Sequence, residues 1–348
     1  MIQRTSNDKI KTQGERVALR ASAAEQIRYS LLNQIGDRSF QIDFAADTMA
    51  DMGAAAIAPY LDTQDRFAFR RIGNGNGEPF LVIDGLPVQD NIPPTPQAFH
   101  DDATVAFTDA LLLGCIRLAR LEPIAVEYEN FGRLIRNVCP VKSAAESVSS
   151  HGSKLPLEWH TDNAYEFEGR SRSASPSPHF LCFAGIRNKD ATGLPVATEL
   201  LPVTSIIAAA SNRLLNAMQK RIFEIKPGQS NDRSSLGRMP LLEYCELSGE
   251  PWLRFNANEG QTVGTTDNSK RTIIELAELV ESLDDEIVSI NVEPGSVLVF
   301  DNYRVLHRRK FFDAGDLRSA RWLRRCFAAR DRDHGVYVDA LNRPFVWS

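Results

Sequence analysis

The sequence predicts a mainly β fold with flanking helices, built on a barrel or double-sheet jelly roll. From about residue 122, short apolar segments alternate with turn residues, as in "PIAVEYENFGRLIRNVCPV", "PHFLCFAGI" and "SINVEPGSVLVFDNYRVLH". Closely spaced strands of this kind are typical of all-β barrels and jelly rolls. Helical periodicity in this part is confined to "TSIIAAASNRLLNAMQKR" and "SKRTIIELAELVESL". The helices therefore decorate the strands and do not alternate with them.

The N-terminal part has a different pattern. Residues 21–36 and 43–61 carry apolar side chains at helical spacing, and residues 104–121 are apolar around most of a helix circumference, which predicts a largely buried helix. Residues 80–88 form a short apolar segment, which is typical of a buried strand. We therefore predict a helical extension, residues 1–75, that packs on a jelly-roll domain of residues 76–348 in a single structural unit.

Composition excludes several classes of protein. Of the 348 residues, 43% are hydrophobic and 24% charged, which is ordinary for a soluble globular protein. A net charge of −5 argues against a general nucleic-acid binder. The five cysteines are scattered without a C-x-x-C spacing, which argues against a zinc ribbon and a disulfide framework.

Nothing in the sequence predicts a membrane partner. The longest apolar stretch, "ALLLGCIRLARL", is interrupted by Arg117 and Arg120 and is too short to span a bilayer. The N-terminus lacks the apolar core of a signal peptide. We expect a cytoplasmic protein without membrane or nucleic-acid partners.

The segment "LEWHTDNAY" places His160 and Asp162 two residues apart. In a strand such residues point to the same face, so the two side chains could bind one metal ion. A pair of this spacing can also arise by chance, and His100 and Asp102 form another. That second pair precedes the predicted helix 104–121, where acidic side chains favour the positive end of the helix dipole.

A third ligand has to come from elsewhere, and His307 in "SVLVFDNYRVLH" is the best candidate. Two histidines and one carboxylate form the facial triad of non-haem Fe(II) oxygenases. The alternative is a partly exposed histidine beside Arg308 and Arg309.

Three motifs together are more specific than any one. "EWHTD", "FDNYRVLH" and "RSARWLRR", in this order, resemble the Fe(II)/2-oxoglutarate dioxygenases of the clavaminate synthase-like group, related to taurine dioxygenase. That family has H-x-D/E, then a distal histidine, then an arginine about fourteen residues further on; Arg321 lies fourteen residues after His307. The resemblance extends over roughly residues 75–332.

The resemblance implies a cupin-like double-stranded β-helix that binds Fe(II) through His160, Asp162 and His307. It implies that Arg321 binds the distal carboxylate of 2-oxoglutarate, with Thr198 as a second contact. Taken from the residues alone, Arg321 could instead lie on a solvated or nucleic-acid-binding face. The implied reaction consumes O2, converts 2-oxoglutarate to succinate and CO2, and hydroxylates an unactivated C–H bond. Asp162 occupies the position where halogenating relatives carry a small residue, so hydroxylation is favoured.

The resemblance also suggests substrate contacts. Glu129 matches a polar residue that holds the substrate's α-amino group, although it could equally be an exposed strand residue. Arginine hydroxylases carry paired aspartates where this chain has Asn256 and Asn258, followed by Glu259, and this departure puts an arginine substrate in doubt. We expect a free basic or polar amino acid, under a flap at residues 163–179 that contains Glu166 and Glu168.

Two other readings stay open. One is an oxygenase that hydroxylates, desaturates or cyclises a carrier-tethered or cyclic peptide intermediate. The other is a non-catalytic β-barrel binding module with a basic C-terminal stretch. The sequence does not indicate the oligomeric state.

Overall fold

A computed structural model describes residues 14–35, 42–98, 105–126, 129–164, 178–227, 237–245, 249–330 and 346–347. The predictions for His100 and Asp102, and those for Glu166 and Glu168 of the flap, lie outside these residues. Within the described ranges, the helices lack the combined length and apolar character that crossing a membrane requires.

The helices occur mainly before the strand-rich part and between its strands. They are α1 (Ala21–Ile35), α2 (Ile42–Ile57), α3 (Thr63–Asn74), α4 (Ala106–Leu118), α5 (Val203–Ala209), α6 (Asn212–Met218) and α7 (Asp267–Glu281). The strands are β1 (Glu15–Ala18), β2 (Phe80–Asp84), β3 (Glu122–Val126), β4 (Ile135–Val138), β5 (Leu157–His160), β6 (Phe180–Arg187), β7 (Thr198–Pro202), β8 (Phe223–Ile225), β9 (Leu242–Tyr244), β10 (Pro251–Leu253), β11 (Thr262–Gly264), β12 (Val288–Ile290), β13 (Val297–Asp301), β14 (Val305–Arg309), β15 (Trp322–Ala329) and β16 (Val346–Trp347).

Most predicted elements are present, and one is wrong. The helices predicted at 21–36, 43–61 and 104–121 correspond to α1, α2 and α4. The single helix predicted over 204–221 is instead two helices, α5 and α6. Ala210 is extended, and the Ser211 side chain accepts a hydrogen bond from the Leu214 backbone N–H at 3.1 Å, which starts a new helix.

Two sheets face each other. The larger has the order β1-β2-β13-β6-β15-β3-β16, with β4 also paired to β15, and the smaller has the order β12-β7-β14-β5. Side chains from both fill the space between them: Phe80, Leu181 and Phe300 from the larger sheet, and Leu200 and Val305 from the smaller. Their facing surfaces define the interior in which the site lies.

The N-terminal residues cover the outer face of the larger sheet. Strand β1 pairs with β2 in parallel, with Glu15 opposite Leu81. Ile27 of α1, Met49 of α2 and Leu112 of α4 share one hydrophobic core with Val299 of β13. Residues before 75 therefore stabilise this sheet, and the division of the chain at residue 75 stays a prediction.

A buried ion pair joins α4 to this sheet. The Asp109 carboxylate accepts hydrogen bonds from Arg324 Nε at 2.7 Å and Nη2 at 2.8 Å, and both residues are at least 95% buried. This bidentate geometry directs Arg324 out of the jelly-roll interior. Because side chains alternate along a strand, the next residue, Arg325, faces inward.

Replacing Asp109 with Ala should destabilise the protein by about 3–5 kcal/mol, because the buried guanidinium of Arg324 loses its counter-ion. Urea unfolding measures this change. The control is Asp51→Ala, since Asp51 forms an exposed pair with Arg117 at 3.1 Å and should contribute less than about 1 kcal/mol. Equal losses in the two variants would contradict the prediction.

Candidate metal centre

His160 and His307 lie directly opposite each other on neighbouring antiparallel strands. His160 is the last residue of β5, and its register partner on β14 is His307. Directly opposed residues point to the same face, and the two imidazole centroids are 4.1 Å apart. The pairing therefore brings together two histidines that are far apart in the sequence.

Asp162 follows β5 and is held by a side chain from another part of the chain. Its backbone N–H donates to Asn302 Oδ1 at 2.9 Å, and Asn302 Nδ2 donates to the Asp162 carbonyl at 2.9 Å. Asn302 is fully buried in the turn between β13 and β14. The "DNY" segment, which from sequence marks only a break between strands, thus fixes the position of Asp162.

The three side chains converge. Asp162 Oδ1 lies 3.3 Å from His160 Nε2 and 3.8 Å from His307 Nε2, and one ligand atom from each residue lies within 4.8 Å of the others. The His160 ring places Nδ1 2.7 Å from the Glu158 carbonyl, so Nδ1 carries the proton and leaves the Nε2 lone pair facing Asp162. Two imidazole nitrogens and a carboxylate, open to a cavity on one side, are donors that fit a non-haem Fe(II) ion.

Electrostatics favour the protonation states that a metal ion requires. Burial lowers the pKa of His307 well below its usual value, and the neighbouring His160 lowers it further. Burial alone would raise the pKa of Asp162, but its close contact with the His160 imidazole and the charge of Arg325 hold that pKa below its usual range. A neutral imidazole and an ionised carboxylate can bind a metal without first losing a proton.

The cavity beside the triad has a volume of about 630 Å³. It is lined by every residue that the sequence suggested for the site: His160, Asp162, His307, Arg321, Thr198, Glu129, Asn256, Asn258 and Glu259. The structure therefore brings all of them to one place, and the role of each stays a prediction.

Arg321 is 97% buried, so the alternative of a solvated or nucleic-acid-binding residue is wrong. Its Nε donates to Asn188 Oδ1 at 3.0 Å, and no carboxylate among the described residues forms an ion pair with it. Burial, and then the nearby Arg309, lower the pKa of Arg321 to about 9. A buried guanidinium without a counter-ion is suited to a carboxylate ligand. Thr198, the first residue of β7, lines the same cavity.

Glu129 is buried, not an exposed strand residue. It accepts hydrogen bonds from Arg136 and from Arg325, and Arg325 Nη1 also donates to Asp162 Oδ2 at 3.0 Å. Sequence reasoning missed Arg325. The alternation of side chains along the strand could have indicated its position. Leu323 and Phe327, two residues before and after Arg325, belong to the core between the sheets, so Arg325 faces the same interior.

Asn256 lies beside the metal ligands, since it forms an isolated antiparallel bridge with His160. Its Oδ1 accepts from the Asn258 backbone N–H at 3.0 Å and from Asn258 Nδ2 at 2.7 Å. Asn258 Oδ1 in turn accepts from the Glu158 backbone N–H at 3.2 Å. Backbone N–H groups only donate, so both amide oxygens are assigned, and Asn256 Nδ2 is left as a donor near the cavity.

Comparisons with known proteins agree with this architecture. Residues 213–327 match the family model described as taurine catabolism dioxygenase TauD, TfdA family. The chain is 27% identical over 281 residues to enduracididine beta-hydroxylase of Streptomyces hygroscopicus, covering 72% of this chain and 76% of that protein. It is 27% identical over 312 residues to L-asparagine oxygenase of Streptomyces coelicolor, covering 89% and 87%.

Solved structures show the same fold. Asparagine oxygenase in complex with Fe(II), 2S,3S-3-hydroxyasparagine and succinate superposes with a TM-score of 0.78 at 23% identity, over 95% of this chain and 98% of that one. The non-haem iron oxygenase OrfP in complex with Fe and alpha-ketoglutaric acid superposes with a TM-score of 0.75 at 20% identity, over 96% and 100%. The predicted jelly-roll core with flanking helices is confirmed.

Fold and site together define a chain of the non-haem Fe(II)/2-oxoglutarate dioxygenase class, as predicted from its motifs. More narrowly, residues 213–327 are similar to the TauD/TfdA dioxygenases, and the resemblance to the clavaminate synthase-like group is confirmed: clavaminate synthase 2 of Streptomyces clavuligerus is 26% identical over 303 residues.

Fe(II) binding should depend on the triad and on the residue that holds Asp162. We expect His160→Ala and His307→Ala to abolish the binding of Fe(II) in anaerobic titrations. Asn302→Ala should weaken it by about 10–100-fold, because Asp162 is no longer held in place.

Asn212→Ala is the matched control, since Asn212 is exposed at the start of α6. Its affinity for Fe(II) should equal that of the wild type. Unchanged Fe(II) affinity in His160→Ala or His307→Ala, measured on folded protein, would contradict the assignment of the triad.

Proposed function

We propose that the protein is an Fe(II)/2-oxoglutarate-dependent hydroxylase of a free polar α-amino acid. The observation that carries this proposal is the buried contact of Glu129 with Arg325, which also contacts Asp162. An α-amino acid presents an ammonium and a carboxylate on one carbon. A carboxylate and a guanidinium side by side, next to a metal ligand, complement these two groups.

Relatives support the same substrate class. L-asparagine oxygenase and L-lysine 3-hydroxylase, the latter from Catenulispora acidiphila and 26% identical over 305 residues, are named for single amino acids. The OrfP structures contain hydroxylated arginine. These names favour a free amino acid over a carrier-tethered or cyclic peptide and over a binding module without catalysis.

The residues of the chain divide the work of this reaction. His160, Asp162 and His307 would hold the iron, and Arg321 and Thr198 would bind the distal carboxylate of 2-oxoglutarate. Iron with 2-oxoglutarate and O2 supplies the oxidation of an unactivated C–H bond, coupled to formation of succinate and CO2.

Arg325 and Glu129 would orient the substrate backbone, so that the same carbon of the side chain is always presented to the metal. The carboxylate of Asp162 occupies the third protein ligand position, which favours hydroxylation. The apolar side chains of Val138 and Phe183 line the cavity and would limit the access of water.

The side chain of the substrate should be polar and not cationic. Asn256 and Asn258 replace the paired aspartates expected for a guanidinium. Asn256 Oδ1 is already engaged by Asn258, and Asn256 Nδ2 has no acceptor among the described residues, so it can donate a hydrogen bond to a substrate. A donor beside the metal favours a side chain with a carbonyl or carboxylate oxygen. Glu259, at the exposed rim, is the remaining candidate contact for a basic group.

A cytoplasmic location is part of the proposal. The cytoplasm supplies 2-oxoglutarate and keeps iron and thiols reduced. The five cysteines are all free thiols, which is typical of proteins from reducing compartments.

Glu129→Gln tests the proposal. The change keeps the shape of the side chain but removes the charge that would pair with the α-ammonium, and truncating a buried charge pair of this kind costs about 2 kcal/mol or more. We therefore expect kcat/KM for a free polar amino acid to fall roughly thirtyfold or more. Succinate release measures turnover, and anaerobic binding of 2-oxoglutarate should persist.

Glu243→Gln is the control, because Glu243 also pairs with a buried arginine, Arg254, but lies outside the cavity. Its kcat/KM should match that of the wild type. If no free amino acid stimulates succinate release while a carrier-bound one does, the substrate assignment is wrong. If Fe(II) and 2-oxoglutarate do not bind at all, the enzyme assignment is wrong.

A further inference from the structure

Another buried arginine that lines the cavity, Arg309, lies on the same strand face as a candidate metal ligand. It follows His307 by two residues on β14, and both residues line the cavity. The pairing of β14 with β5 shifts register between these two residues, an irregularity that redirects side chains next to active sites. The intervening Arg308 is directed instead to Glu199 at 2.6 Å and Glu281 at 3.0 Å.

Arg309 has weak local partners for a residue that is 94% buried. Its Nη1 donates to the Lys310 carbonyl at 3.0 Å, and Nη2 lies 3.5 Å from the Leu155 carbonyl. Within the described ranges, no carboxylate forms an ion pair with Arg309. Two hydrogen bonds to carbonyl groups do not offset the cost of burying this cation.

Arg309 and Arg321 form a pair of like charges. The charge of Arg309 acts on Arg321 and contributes, after burial, to the lowered pKa of Arg321. The two guanidinium carbons lie 5.1 and 5.9 Å from the centroid of the same ring, that of Phe312. Two buried cations around one aromatic ring, with no carboxylate partner in the described part of the chain, repel each other, and an anion between or beside them would offset that repulsion.

We propose that Arg309 binds the distal carboxylate of the 2-oxo acid co-substrate together with Arg321. This inference rests on the proposed function, in which Arg321 is the first contact for that carboxylate. A carboxylate has two oxygens that can accept hydrogen bonds from two guanidinium groups at once. The paired cations make the site selective for a 2-oxo acid with a second carboxylate.

Calorimetry with two ligands tests this role. The protein is loaded with Ni(II), which does not activate O2, and titrated with 2-oxoglutarate and with 2-oxopentanoate, whose chain ends in a methyl group instead of the distal carboxylate. We expect Arg309→Gln to weaken binding of 2-oxoglutarate by about tenfold and to leave binding of 2-oxopentanoate unchanged, since a hydrogen bond to a charged group is lost with only one of the ligands. Arg309→Lys, which keeps the charge, should lose less.

The alternative explanation is that Arg309 has a purely structural role and only donates hydrogen bonds to backbone carbonyls. Arg304→Gln is the control, because Arg304 is buried, donates to the Gly75 and Gly77 carbonyls at 3.2 and 3.0 Å, and pairs with Glu250 at 3.4 Å, all away from the cavity. The Arg304→Gln variant should have a lower melting temperature but the same ratio of the dissociation constants for 2-oxoglutarate and 2-oxopentanoate. A ratio unchanged in both Arg309→Gln and Arg309→Lys overturns the inference.

Different outcomes would contradict the proposed function and the inference about Arg309. If the wild-type protein with Ni(II) binds neither 2-oxo acid, the proposed function fails, and the role of Arg309 fails with it. If the wild-type protein prefers 2-oxoglutarate, and Arg321→Gln abolishes that preference while Arg309→Gln does not, only the inference about Arg309 fails.

Discussion

The site depends on one antiparallel pairing, that of β5 with β14, because this register alone sets His160 opposite His307. A slip by one residue would turn one imidazole to the other face of the sheet and separate the ligands. The turn that leads from β13 into β14 reinforces the register, since its Asn302 binds the backbone of Asp162 on both sides. The connection between the two sheets thus also fixes the third candidate ligand.

The two sheets contribute different chemistry to the cavity. The smaller sheet supplies the imidazoles and Arg309, whereas β15 of the larger sheet supplies Arg325. Glu129 and Asp162 are balanced by Arg136 and Arg325, so a zwitterionic substrate would enter this end without adding net charge. At the other end, Arg321 has no carboxylate partner among the described residues, which is the electrostatic reason to expect an anionic co-substrate there.

Much of this could be predicted from local sequence patterns. Strand-like segments at short spacing indicated the jelly roll, and the linked motifs around His160, His307 and Arg321 indicated the class of enzyme. Local sequence patterns do not indicate which strands pair with each other. The contact of Arg325 with Glu129 joins residues almost two hundred positions apart, and the clamp on Asp162 by Asn302 joins residues 140 positions apart. The break between α5 and α6 was missed for a different reason, because a cap by Ser211 outweighs continuous helical periodicity.

Two adjacent residues of strand β15 have different roles, because their side chains lie on opposite faces of the sheet. Arg324 anchors α4 on the outside of the sheet through Asp109, and Arg325 reaches the interior beside Asp162. Both residues are arginine, so an insertion or deletion of a single residue within this strand would leave the local composition nearly unaltered while exchanging the inside and outside of every later side chain. During divergence this strand can therefore accept substitutions but not changes of length, and new substrate ranges have to arise in the turns that border the cavity, such as the one that carries Asn256 and Asn258.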